Sequence, residues 1–238
     1  MAKVGSLSIY NSLKTHLRLS AIFHIHTLNV YEDKHLKELL MARRILPSSR
    51  SPVPLINNRI INSKREAKII TLVRDPIERN LSAFFDAFYF MVGVKQEDFR
   101  GSLEDLAKIY KRDFPHEYAV GWFDNYLGSS LSVDVYKVAF PVEKGHLTVF
   151  HKKYPILILR SDLENSEKEK QIMEFLGLKA FIIRNTNITN ASLYEDFKNY
   201  IKFSKEYLLS QYNSKYAQHF FSKEERNKAL KKWLKVEH

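Results

Sequence analysis

The chain has no cysteine. That removes disulfide frameworks, thiolate nucleophiles and cysteine-built zinc or iron–sulfur centres together. Glycine is scarce, with 7 in 238 residues, so a glycine inside a motif carries information. No apolar run approaches the roughly 20 residues needed to span a bilayer. The richest, 83–94, is interrupted by Asp86. The start, Met1-Ala2-Lys3-Val4-Gly5-Ser6, holds no apolar segment of a secretory signal. No repeat of fixed period and no low-complexity tract is present. Acidic residues are the minority charge: 27 Asp and Glu against 38 Lys and Arg leave a net +11. Hydrophobic residues make up 45%, so the basic excess sits on a folded domain and implies an anionic partner. Nucleic acid, an acidic membrane surface and a phosphorylated ligand all qualify. The length and the lack of a linker favour one domain over 1–238.

What is present alternates strand with helix. Lys68-Ile69-Ile70-Thr71-Leu72-Val73 and Ile156-Leu157-Ile158-Leu159-Arg160 are short, nearly continuous apolar runs. That is the pattern of strands buried on both faces of a parallel sheet. Further strands are expected over 21–26, 133–140, 147–150 and 180–183. Helices are expected over 6–17, 32–46, 103–110, 118–127, 163–176 with Gly177 as its stop, and within the aromatic- and lysine-rich stretch 193–233. Another is expected over 76–90, capped by Asp75 with Pro76 in its first position. The fold class is α/β, a central parallel sheet flanked by helices. No strand precedes the glycine turn at 3–6, so either the sheet lacks its first strand or the natural start is longer.

Two segments have the makings of anion sites. In Lys3-Val4-Gly5-Ser6-Leu7-Ser8 a glycine turn runs into a helix, whose unpaired N–H groups and positive dipole end attract an anion. Gly5 permits close approach, Lys3 adds a charge, and Ser6 and Ser8 supply hydroxyl donors. The G-x-x-x-x-G-K-[ST] spacing of the ATPase P-loop is missing. Alone, the segment reads sooner as a disordered N-terminus with a serine-capped helix. In the second segment Arg74 stands at the carboxyl end of a buried strand, where open α/β sheets bind ligands. Its planar fork suits a phosphate monoester. Ser82, nearly two turns into the next helix, is spaced to meet the same group. The plain alternative is an Arg–Asp surface pair and a capped helix.

Val73-Arg74-Asp75-Pro76, Arg79 and Ser82-Ala83-Phe84 together resemble the 3′-phosphate-binding motif of the PAPS-dependent sulfotransferases, the carbohydrate sulfotransferases in particular. Ala2 to Ser8 resembles the 5′-phosphosulfate loop of the same family, with Ala2 in place of a proline and Leu7 in place of a hydroxyl residue. Trp122-Phe123-Asp124, Asp134-Val135-Tyr136, Leu159 to Leu163 and Tyr212 to Phe221 are similar to a bacterial branch of capsular polysaccharide synthesis proteins. The resemblance implies a P-loop-like sulfotransferase fold. It implies transfer of a sulfuryl group from 3′-phosphoadenosine 5′-phosphosulfate to a hydroxyl of a carbohydrate, without a metal. On this resemblance Lys3, Val4, Gly5, Ser6, Leu7 and Ser8 hold the 5′-phosphosulfate, Lys3 also offsetting charge on the leaving phosphate. Arg74 and Ser82 clamp the 3′-phosphate, and Arg184 adds a contact.

The acceptor hydroxyl requires a general base. His24 and His26 lie two residues apart on the expected strand and so share a face. In related enzymes a His-x-His segment supplies the base. His26, nearer the strand's carboxyl end, is preferred, with Glu32 and Asp33 in reserve; two structural histidines are the alternative. Trp122 and Phe123 suit core packing better than stacking on a ligand. Arg43-Arg44, Lys152-Lys153 and Lys231-Lys232 suit a solvated surface or an anionic glycan. The sequons at Asn187 and Asn190 are expected to be accidental. The expected partner is a glycan or glycolipid acceptor, with no nucleic acid, no transmembrane segment, and peripheral membrane contact left open. The expected compartment is the cytoplasm, or the Golgi lumen if a eukaryotic chain has lost an anchored leader. Competing functions are a P-loop-like nucleotide kinase or NTPase and a basic nucleic-acid-binding protein.

Overall fold

The two apolar runs form the sheet's parallel pair. In the computed structural model, which describes residues 1–42, 51–184 and 192–234, the principal elements follow in chain order. They are α1 (Ser6–His16), α2 (Val30–Ala42), β1 (Ile69–Val73), α3 (Pro76–Asp86), α4 (Leu103–Asp113), β2 (His146–Val149), β3 (Ile156–Arg160) and α5 (Asn165–Leu176). Then come α6 (Ser192–Tyr200), α7 (Lys205–Tyr212), α8 (Lys215–Phe220) and α9 (Lys223–Leu234). The fold is mixed α/β, 58% helical, with a small three-stranded mixed sheet of order β1-β3-β2. β3 pairs parallel to β1 with Thr71 opposite Ile158, and antiparallel to β2 with Leu147 opposite Ile158. All five residues of β3 are buried, as its unbroken apolar run requires of a central strand.

Three expected strands are not formed. Residues 21–29 are irregular, 180–184 likewise, and Val135–Lys137 is a single 3₁₀ turn. Alternation makes a segment fit for a sheet, but a strand exists only where a partner backbone takes its hydrogen bonds. At 21–29 the polar groups go elsewhere. The Trp122 indole N–H donates to the His26 carbonyl at 2.9 Å, and Thr27 receives the Asn29 N–H. The 118–127 helix continues as a π-helical turn over Phe123–Gly128. Arg43-Arg44, the end of the 32–46 helix, and the asparagines of both sequons lie outside the described residues.

The chain divides into two compact units. The first comprises 1–74 and 122–187 and holds the sheet with α1, α2 and α5. Its buried residues include Val4, Ile9, Leu13, Leu72, Val73 and all the apolar residues of β3. The second comprises 75–121 and 188–238 and is helical. Its core is aromatic: the fully buried Phe84 ring meets Tyr110 at 5.2 Å, Phe85 at 5.5 Å and Phe197 at 5.9 Å. α3 begins as its sequence dictates, with Pro76 in the first turn and the Asp75 carboxylate accepting the Glu78 N–H at 2.9 Å.

Candidate functional site

The glycine turn is held in a shape that only its sequence permits. Lys3 and Gly5 both have left-handed backbone, with φ of 59° and 88°. Gly5 is the N-cap of α1 and makes no side-chain cap, so the first N–H groups of the helix gain nothing from it. A Cβ built on Gly5 would meet nothing within 4 Å, so the turn faces open space. Val4 is buried beneath it, 1% exposed, and anchors the turn to the core. Leu7, by contrast, points outward and is exposed.

Arg74 reaches this turn. It follows directly on Val73, the last residue of β1, and its Nη1 donates to the Lys3 carbonyl at 3.1 Å. Arg74 and Lys3, 71 residues apart in the chain, therefore meet in the first unit. Both Arg74 and Lys3 are half-buried.

The histidine pair also comes here, although no strand carries it. The His24 Nε2 lies 2.9 Å from the Ser6 Oγ. Its ring stacks on Tyr10 of α1 at 5.3 Å and meets the His26 ring edge-on at 4.7 Å. Burial is the larger influence on His24 and the chain's amino terminus the smaller; both push its pKa below the ordinary histidine value. With 21–29 irregular, strand direction does not separate the two histidines; His24 is part-buried on Ser6 while His26 is exposed. Glu32, a reserve base, accepts from Tyr126 Oη at 2.7 Å and from Thr27 Oγ1 at 3.0 Å, and Asp33 is ion-paired with Lys37 at 2.7 Å. Both carboxylates are committed to holding α2.

Arg184 comes near α1 through its backbone: its N–H donates to the buried Ser12 Oγ at 2.9 Å, while its side chain is exposed. Asn185 and Thr186 lie outside the described residues. Ser82 stands in the second turn of α3, half-buried, in the second unit. Trp122 and Phe123 are buried core residues, as expected.

Sequence reasoning missed the residues on the other flank of the turn. A cleft of about 90 Å³ is lined by Val4, Gly5, Ser8 and Leu72 together with Ser161, Asn165 and Lys168. Lys168 belongs to α5 and is buried in register with Ile172, one turn on. A lysine four residues from a core isoleucine on an otherwise charged helix was the available signal. Beside it the buried Arg160 holds Asp162 in a two-pronged pair at 3.0 and 2.6 Å, which keeps the Asp162 carboxyl below its ordinary range. Among the described residues no cluster of histidine and carboxylate suits a metal ion. No helix among them is long and apolar enough to cross a membrane. No family model, curated protein or solved structure matches the chain.

Proposed function

We propose that the protein is a sulfotransferase that moves a sulfuryl group from 3′-phosphoadenosine 5′-phosphosulfate to a hydroxyl of a carbohydrate acceptor, built on a P-loop-like α/β scaffold. One observation carries this reading: the Arg74 guanidinium at the end of β1 bonds the backbone of the Lys3–Ser8 turn. In the sulfotransferase motifs these segments serve the two ends of one nucleotide. Had Arg74 and the turn faced apart, a shared nucleotide would have been ruled out.

The chemistry is an in-line displacement. The acceptor oxygen bonds to sulfur as the bond from sulfur to the bridging oxygen of the 5′-phosphate breaks. The acceptor proton passes to His26, and adenosine 3′,5′-bisphosphate leaves. Catalysis of this kind is mostly positioning and charge stabilisation. Lys3 and the N–H groups of the first turn of α1 offset charge on the departing phosphate. His24, bonded to Ser6, positions the His26 ring. Ser82 and Arg184 enter through the sequence resemblance alone. A capsular or other surface glycan is the acceptor the resemblance suggests.

Calorimetric titration with adenosine 3′,5′-bisphosphate against ATP tests the assignment. Binding of the bisphosphate, weakened at least tenfold by Arg74→Ala, is expected. Preference for ATP would instead identify a nucleotide kinase or NTPase.

A further inference from the structure

Lys168 is 8% exposed, and its Nζ donates to the Ser161 carbonyl at 2.7 Å. An ammonium carries three donors, and burying one costs free energy unless they are met. No second acceptor reaches Lys168 among the described residues. The charged groups that act on it are Asp162 and Glu164. Asp162 is spent on the Arg160 fork, and Glu164 and Asp162 act on Lys168 only through space. The buried cation is thus under-compensated, and burial pulls its pKa below the ordinary lysine value.

The open side of Lys168 is the cleft it shares with Gly5 and Ser8. Ser6 and Ser8 lie on opposite flanks of the first turn of α1, two residues and about 200° apart. Ser6 meets His24, and Ser8 lines the Lys168 cleft. At about 90 Å³ the cleft has room for a small tetrahedral ion.

We propose that this cleft is a tetrahedral-oxyanion site, with Lys168 as its charge partner, Ser8 as a hydroxyl donor and Gly5 leaving the approach clear. Naming the ion as the 5′-phosphosulfate end of the donor rests on the sulfotransferase assignment; the site itself does not. Lys168 is a binding residue, and the same chemistry accepts a free sulfate or phosphate.

The experiment uses the full chain and inorganic sulfate as probe. Sulfate stabilises any folded protein by exclusion from its surface, so the reading is the difference between wild type and variant. Calorimetry is expected to show sulfate binding that Lys168→Met weakens at least tenfold and Lys168→Arg largely keeps. Equal binding in Lys168→Met, or no saturable binding in wild type, would overturn the site. Should Lys168→Met fail to fold, the wild-type lysine Cε resonance decides: sulfate must raise the pH at which Lys168 titrates, and an unmoved titration refutes the proposal. Competition between sulfate and adenosine 3′,5′-bisphosphate assigns the ion to the donor's 5′ group, and independent binding assigns it to a free oxyanion. Loss of bisphosphate binding in Arg74→Ala reports on the sulfotransferase assignment separately.

Discussion

His24 shows how a single side chain is tuned by what surrounds it. Burial and the nearby amino terminus disfavour its cation and lower its pKa. Titration followed by NMR is expected to place His24 below the unperturbed value near 6.5; a His24 titrating above 6.5 would show that burial does not govern the ring. Asp75 is the opposite case. Burial raises its carboxyl pKa against the opposing pull of the Glu78 N–H and the Tyr212 hydroxyl, which donates at 2.9 Å. Asp75→Asn keeps an acceptor for Glu78 and removes the buried charge, so urea unfolding at neutral pH is expected within about 0.5 kcal/mol of wild type. Asp75→Ala is expected to cost about 1–2 kcal/mol, the loss of a helix cap. Residue types at 3–8, 24, 26 and 74 were legible in the sequence because each sits where its chemistry is unusual. Lys168 was not, because a lysine on a charged helix looks solvated until the helix's inward face is known.

Elements begin and end where short local signals say they must. α3 starts at Pro76 on the Asp75 cap and α5 stops at Gly177, whose φ is 75°. The Ser214 hydroxyl accepts the Ala217 N–H at 3.2 Å and donates to the Gln211 carbonyl at 2.6 Å, so it closes α7 and opens α8 together. Ser214→Ala is expected to cost about 1 kcal/mol in chemical denaturation, with no change in nucleotide binding. The turn into α1 is governed by Gly5. Alanine there meets no atom but must hold a left-handed backbone, at about 1–2 kcal/mol. Its methyl group would also occupy the face offered to an anion. Gly5→Ala should therefore weaken bisphosphate binding by more than its loss of stability, a difference that paired melting and calorimetry would reveal. The strands were less legible than the helices. A helix takes its hydrogen bonds from its own neighbours in sequence, so caps and spacing suffice, whereas 21–26 and 180–183 have suitable residues and yet join no strand among the described residues.

At the scale of the molecule, stability and pH are coupled through both units. Burial lowers the pKa of His24 in the first unit and of His116 in the second. A histidine with lowered folded pKa contributes stability that is complete above its unfolded value, near 6.5, and is lost as pH falls. The melting temperature is therefore expected to decline between pH 7 and pH 5, and His116→Gln to flatten that decline; an unchanged slope in the variant would exclude His116 as a source. In the second unit the aromatic cluster centres on Phe84, and Phe84→Ala is expected to cost about 3–5 kcal/mol. The net charge of +11, the lack of cysteine, the buried character of 69–73 and 156–160, and the capped helices all follow from the sequence alone, since each depends on residue type or on neighbours within a turn. Which strand lies beside which was decided only by the tertiary structure. β2 runs antiparallel to β3, and the described residues place three strands in the sheet, because pairing joins backbones far apart in the chain. The same is true of the site. Composition supplies the cations, but only the fold brings Arg74 to Lys3 and turns Lys168 inward toward Gly5, since the cost of burying charge is set by neighbours the sequence does not list in order.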